Sequence, residues 1–154
     1  MSNHVSRTLT ALVALLMVVA LAGCTTGGGA SGSGGSISAS DAWARPAAAG
    51  AETAVYLTIA NTGSSADALI SATSPGASSV EMHQTSTDMN GMTGMSPVAR
   101  IDVPAGQTVS LAPGGMHLMV TGLTSGLEVG GSIDVALVFE HAGTVQVTAE
   151  VRQP

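Results

Sequence analysis

Short apolar runs separated by turn residues follow one another along the chain from Ile37 onward. The runs are rich in Val, Ile, Leu and Thr, and segments containing Gly, Pro or Asn separate most of them, which is typical of strands joined by tight turns. No segment past Ile37 has the apolar periodicity of a long amphipathic helix. We therefore predict an all-β domain built as a two-sheet sandwich, with strands at residues 54–60, 66–72, 79–84, 98–103, 108–111, 116–123, 132–140 and 144–151.

The last two runs flank His141-Ala142-Gly143 and predict a β-hairpin. In the first of these two runs apolar residues recur at every second position, so one face is expected to be buried. Aromatic residues are few, and aliphatic side chains must fill most of the core. We expect Trp43 and Tyr56 to be core or interface residues rather than a substrate platform.

The N-terminal segment has the pattern of a bacterial lipoprotein signal. His4 and Arg7 precede an apolar run at residues 11–21, and Leu21-Ala22-Gly23-Cys24 resembles a lipobox. The run is shorter than the roughly 20 residues that a transmembrane helix needs. We predict a signal peptide at residues 1–23 and lipidation of Cys24. The alternative is an ordinary secreted protein with a chance cysteine at this position.

Residues 24–36 are dominated by Gly and Ser and predict a tether with nothing to bury. The remaining residues, 37–154, are enough for one domain. The predicted protein is extracytoplasmic and anchored to a membrane by its lipid, on the periplasmic or cell-surface side.

Charge and cysteine content exclude several function classes. Without the signal peptide, three arginines oppose ten carboxylates and no lysine is present, a net charge of −7. Nucleic acid is therefore not expected as a partner, because its binding depends on neutralising phosphates. A single cysteine cannot form an intrachain disulfide, and its lipidation removes Cys-ligated zinc and the thiolate that a blue-copper electron carrier requires.

Methionine and histidine are concentrated in one stretch of the chain. Six of the eight methionines and two of the four histidines lie between Met82 and Met119. Thioethers and imidazoles without a neighbouring thiol favour Cu(I) over harder metal ions. The alternative is a methionine-rich core or patch, since Met packs adaptably.

Alternation along the strands divides these residues between two faces. His117 and Met119 share a face, which we expect at a surface or rim, whereas Met116 shares the opposite face with Leu118 and is expected in the core. By the same rule Met82 is expected in the core, with His83 at the end of its strand and facing the other way.

A predicted loop, Thr85 to Gly94, can return Met95 to the end of the His83 strand. Two imidazoles and two thioethers then give a candidate Cu(I) site of His83, Met95, His117 and Met119. The sequence leaves open whether Met89 and Met92 are spare ligands or oxidisable surface residues.

The spacing of these residues resembles the periplasmic copper chaperones of the PCuAC type. The pattern here is His83-Gln84, ten residues, Met95, twenty-one residues and His117-Leu118-Met119. Similar flanking pieces occur at residues 41–46 (DAWARP), 54–63 (AVYLTIANTG), 80–83 (VEMH), 101–106 (IDVPAG) and 113–119 (PGGMHLM). The similarity covers essentially the whole domain.

The resemblance implies a cupredoxin-like Greek-key β-sandwich in which His83, Met95, His117 and Met119 bind Cu(I). It further implies delivery of copper, with the dinuclear copper centre of cytochrome c oxidase subunit II as the best-known recipient and a Sco-type protein as a partner. Gln84 departs from family members that carry Met there, which removes one auxiliary thioether. The sequence does not settle whether Cu(II) also binds.

Binding and transfer are expected rather than catalysis, because no acid–base or nucleophile set is recognisable. Two alternatives stay open at this point. One is a membrane-anchored copper buffer or scavenger for tolerance or uptake, without a dedicated recipient. The other is a structural or adhesion β domain with an incidental methionine cluster.

Overall fold

The computed structural model describes residues 36–153. The predicted signal peptide, Cys24 and residues 25–35 of the predicted tether lie outside the described residues. Between Ser36 and Gln153 no helix is long and apolar enough to cross a membrane.

Ten strands make up the described domain, and their hydrogen-bonded order is β5-β4-β8-β2-β1-β10-β9-β3-β6, with β7 paired to β2. The β1/β10 pair is parallel, and the other strand pairs described are antiparallel. In chain order, β1 to β10 span Ile37–Ala44, Thr53–Asn61, Asp67–Thr73, Ala77–Thr87, Thr93–Pro97, Ile101–Val103, Thr108–Leu111, Met116–Leu123, Ser132–Phe139 and Gly143–Val151.

One hydrophobic core holds the strands together. It draws on alternate positions of each strand, such as Val55, Leu57 and Ile59 of β2, as the pleat of a half-buried strand requires. Met82 of β4 and Ile101 of β6 belong to the same cluster although their strands lie near opposite ends of the strand order. The strand path therefore folds over on itself around this core, and the predicted all-β sandwich is confirmed.

Most predicted strands match the structure closely. The β8 bounds agree at both ends, and the predicted terminal hairpin is the β9/β10 pair, joined through Glu140, His141 and Ala142. Strand β1 has no counterpart among the predicted runs. Its register shifts between Ser40 and Trp43, where Asp41 has a φ of 52°, so regular alternation is interrupted.

The predicted loop from Thr85 to Gly94 is wrong. Strand β4 continues to Thr87 and β5 begins at Thr93, so the two form a hairpin with Thr87 opposite Thr93. The Asp88 carboxylate closes the turn by accepting hydrogen bonds from the backbone N–H groups of Asn90 and Met92, both at 2.9 Å. Met95 therefore lies within a strand and has a defined register.

Two buried polar side chains, at the end of β2 and at the start of β3, have complete hydrogen bonding. Asn61 donates to the carbonyls of Ser65 and Val103 at 2.9 and 3.0 Å and accepts from the N–H of Gly63. This amide thus joins the end of β2 to the end of β6.

Asp67 is the second of these side chains. Its carboxylate accepts from the backbone N–H groups of Ala68, His141 and Ala142 at 2.7 to 3.0 Å. Burial raises the pKa of Asp67, but these hydrogen bonds outweigh it and hold the pKa below the usual 3.8. The charged form therefore ties β3 to the β9–β10 turn.

Candidate metal centre

The two candidate histidines face each other across neighbouring strands. In the antiparallel β4/β8 pair, His83 lies directly opposite His117. Residues directly opposite each other project from the same face of a sheet. The ring centroids are 5.9 Å apart, so the register brings together two imidazoles that are distant in the sequence.

Met119 lies on the same face, two residues after His117, as predicted. It is directly opposite Glu81, which precedes His83 by two residues. The Met119 side chain is half-buried. A thioether therefore accompanies the two imidazoles on adjacent strands.

Met95 is brought to this face by β5, the strand at the edge of the sheet. It is directly opposite Thr85, two residues beyond His83. Its side chain is 58% exposed and lines, with His117 and Met119, a cleft of about 380 Å³. All four predicted residues thus lie on one face of β5, β4 and β8, with Met95 the most exposed of them.

The His83 ring has one nitrogen bound and one without a partner. Its Nε2 lies 3.1 Å from Oε2 of Glu81. Its Nδ1 is the one buried side-chain nitrogen or oxygen in the described part of the chain that lacks a hydrogen-bond partner. Such an atom costs roughly 1–3 kcal/mol. A lone pair on Nδ1, with the proton held at Nε2 by Glu81, would be available to a metal ion.

The His117 ring is held the other way round. Its Nδ1 lies 3.2 Å from the carbonyl oxygen of Gly115. A carbonyl can only accept, so Nδ1 carries the proton and Nε2 carries the lone pair. In metal-binding histidines, a hydrogen bond from the ring nitrogen that does not bind the metal fixes the tautomer in this way.

His117 is more buried than the expected surface or rim position. It is only 3% exposed, because the Tyr56 ring lies beside it at 6.1 Å between centroids. Tyr56 in turn packs on Trp43 at 4.6 Å. The Tyr56 ring, with Trp43 packed against it, therefore covers the β8 side of the site.

The role of these aromatic rings was not predicted, although a signal was present. Val55, Leu57 and Ile59 alternate toward the core, so Tyr56 must face the other way, with Trp43 opposite it across β1 and β2. Their rings are also covered by arginines. The guanidinium of Arg45 lies 5.7 Å from the Tyr56 centroid and that of Arg152 lies 5.1 Å from the Trp43 centroid.

The other methionines of the cluster lie away from the cleft. Met82 is 7% exposed and belongs to the core, as predicted. Met116 is half-buried and packs against the core. Met89 and Met92 are exposed at the β4–β5 turn, and neither lines the cleft.

The donor set of this face is two imidazoles and two thioethers. Within residues 36–153, no three side chains among His, Cys, Asp and Glu form a candidate metal cluster. Neutral nitrogen and sulfur donors suit Cu(I), which has no d-electron preference for planar geometry. The unpartnered Nδ1 of His83 and the free Nε2 of His117 fit such an ion.

Comparison with known proteins gives a family and a fold. A family model described as "Putative lipoprotein LpqE-like" matches residues 37–151. A relative in Leifsonia xyli subsp. xyli, "Putative lipoprotein Lxx21020", is 38% identical over 116 residues, which cover 75% of this chain and 69% of the relative.

Solved structures of copper-binding domains have the same fold. The copper-bound PCuAC domain from PmoF2 is 28% identical with a TM-score of 0.66, over 79% of this chain and 97% of that domain. The Cu(I) form of DR1885 from Deinococcus radiodurans is 32% identical with a TM-score of 0.55, over 73% of this chain and 77% of that protein.

Proposed function

Because the chain belongs to the LpqE-like lipoprotein family and shares the fold of PCuAC domains, we propose that it binds Cu(I) outside the cytoplasm and passes it to a recipient. The observation that carries the proposal is the unpartnered, buried Nδ1 of His83 opposite His117. The proposed donors are Nδ1 of His83, Nε2 of His117 and the sulfur atoms of Met95 and Met119.

The four donors differ in how readily they can leave the ion. His117 is buried beneath Tyr56, whereas Met95 is 58% exposed on an edge strand. A recipient's ligand can therefore displace the Met95 thioether first, while the imidazoles still hold the copper. His117 is the last donor to let go. This order suits stepwise transfer, and we propose binding and transfer rather than catalysis.

A copper titration tests the site. The purified protein should bind one Cu(I) in competition with a chelator of known affinity. Met119→Leu removes the thioether with little change in volume and should weaken binding, whereas the matched core variant Met82→Leu should not. Equal effects of the two variants, or no binding at all, would contradict the proposed site.

The recipient we propose is the dinuclear copper centre of cytochrome c oxidase subunit II, with a Sco-type protein as a partner. The resemblance to the PCuAC type supports this choice. Deletion of the chain should lower oxidase activity when copper is scarce. Unchanged oxidase activity together with lower copper tolerance or uptake would favour the alternative, a membrane-anchored buffer or scavenger without a recipient.

We propose that lipid on Cys24 holds the domain, residues 37–154, at a membrane through the segment 24–36, after removal of residues 1–23. The lipoprotein descriptions of the family and of the Leifsonia relative support this. Cys24→Ser should move the protein from the membrane fraction to the soluble fraction. Retention of this variant in the membrane fraction would show that another feature anchors it.

A further inference from the structure

The described domain has three arginines, and they are used in two different ways. Arg100 is neutralised by Asp102 at 2.7 Å and Glu140 at 3.1 Å. In residues 36–153, Arg45 and Arg152 have no carboxylate within ion-pair distance. Instead, each lies over an aromatic ring while remaining exposed. Two cations of an acidic domain are therefore held at the surface without an internal partner.

Both of these arginines lie on the face that carries the candidate copper site. Arg45 lines the same cleft as Met95, His117 and Met119. The Trp43–Tyr56 pair connects Arg152 to that cleft through successive ring contacts. We define the docking face as Arg45, Arg152 and Trp43, with the buried Tyr56 ring beneath Arg45.

The docking face is organised before any partner arrives. The backbone N–H of Arg45 bonds to the Ala54 carbonyl, and its own carbonyl accepts from the Thr53 hydroxyl at 2.7 Å. The N–H of Arg152 bonds to the Ala44 carbonyl at 3.0 Å. A guanidinium stacked on a ring still presents its N–H edge, which can bind a carboxylate in bidentate fashion.

Charge selects the partner that this face fits. Without residues 1–23 the chain has a net charge of −7, three arginines against ten carboxylates, so an acidic protein is repelled by most of the surface and attracted only at unpaired cations. Glu52 lines the cleft beside Arg45, and Glu150 is in register with Trp43. These two carboxylates restrict where a partner's negative groups can lie. Arginine beside aromatic rings is also typical of interface hot spots.

We propose that the docking face binds carboxylate side chains that flank the copper ligands of the recipient protein. The proposal rests on the proposed copper site, because docking there brings the recipient's ligands to the cleft occupied by Met95 and Met119. Arg45 is the central contact, and Arg152 extends the surface.

The test compares transfer of Cu(I) to two synthetic acceptor peptides. Both carry the same three-methionine copper-binding sequence, one flanked by glutamates and the other by glutamines. At low salt the glutamate peptide should accept copper about three- to tenfold faster. This advantage should vanish at about 1 M salt, where the screening length is about 3 Å.

Arginine variants test which guanidinium causes the faster transfer to the glutamate peptide. Arg45→Gln should remove most of the glutamate peptide's advantage, and Arg152→Gln should remove part of it. The matched control is Arg100→Gln, which changes the net charge by the same amount but should keep the advantage. Equal rates for the two peptides with the wild-type protein, or equal losses in all three variants, would overturn the docking face.

Cu(I) affinity is measured in parallel on each protein. If the wild-type protein binds copper tightly but shows no preference between peptides, the docking face is wrong and the copper site stands. If the wild-type protein binds no copper, the proposed function is what fails.

Discussion

Buried polar side chains at two levels of strand β2 differ in their hydrogen bonding. At its Asn61 end, Asn61 and Asp67 find hydrogen-bond partners within the chain. About 17 Å away along the strand, level with Tyr56 in the middle of β2, His83 keeps a buried Nδ1 without a partner. Polar groups that hold the fold together are satisfied by the fold itself. A group left unsatisfied at a cost in stability indicates that something else completes it.

The largest effect should come from removing a donor beside the unsatisfied nitrogen of His83. Removal of His117 eliminates the most buried proposed donor, and His117→Ala should weaken Cu(I) binding by more than about 100-fold, since even outer partners of metal ligands are worth 10–100-fold. Competition with a chelator measures this. The matched control is His141→Ala, an exposed turn residue, which should keep wild-type affinity. Comparable losses would argue for general metal binding by histidine.

Breaking the hydrogen bonds of a satisfied group should lower stability and leave copper binding unchanged. Asp67→Asn loses the charge that accepts three backbone N–H groups, and it should lower the free energy of unfolding by about 2 kcal/mol at neutral pH. Urea unfolding measures this. Cu(I) affinity should remain that of the wild type. A change in affinity without a change in stability would contradict this distinction between the satisfied and the unsatisfied groups.

The stability difference between the wild type and Asp67→Asn should depend on pH in a defined direction. Because the pKa of folded Asp67 is below 3.8, its contribution to stability is complete above the unfolded pKa and is lost as the pH falls through the folded value. The stability gap between wild type and Asp67→Asn should therefore narrow under acid conditions. A gap that stays constant through that range would show that the charge is not what matters.

A smaller effect is expected from removing the unsatisfied atom itself. His83→Phe replaces the buried Nδ1 by carbon on a ring of similar shape, so the copper-free protein should gain about 1 kcal/mol of stability while Cu(I) affinity falls. Thermal unfolding of the copper-free protein checks this. Lower stability would mean that the His83–Glu81 contact matters more than the unpartnered nitrogen.

The smallest effect concerns the orientation of that ring. Glu81 is exposed, so Glu81→Ala should weaken Cu(I) binding by less than about tenfold, below the usual range for buried outer partners. Nitrogen NMR of the His83 ring should show the proton shifting away from Nε2 in the variant. An unchanged tautomer would assign the positioning of His83 to packing alone.

The faces on which the site residues lie could be predicted from sequence, because the alternation of side chains between the two faces of a strand is a local property. Parity placed His117 and Met119 on one face and Met82 in the core, and β8 has the predicted bounds. The pairing of His83 with His117 could not be predicted in this way, because register depends on which strands become neighbours.

Strand β5 could not be predicted from the sequence pattern. Its sequence has no buried face, since all five of its residues are exposed, and it ends at Pro97. Neither hydrophobic alternation nor propensity therefore indicates a strand. Pairing with β4 defines it, and the position of Met95 relative to the histidines follows from that pairing.

The exposure of β5 separates two timescales, that of local opening of the β4/β5 hairpin and that of unfolding of the whole domain. Its five residues contribute nothing to the buried core, and β4 is its one pairing partner among the described strands. Amide protons of this strand should exchange through local fraying long before those of β8 or β9 do. If Met95 holds copper as proposed, the residence time of the ion follows the opening rate of this hairpin, while the lifetime of the fold follows the rest of the sheet.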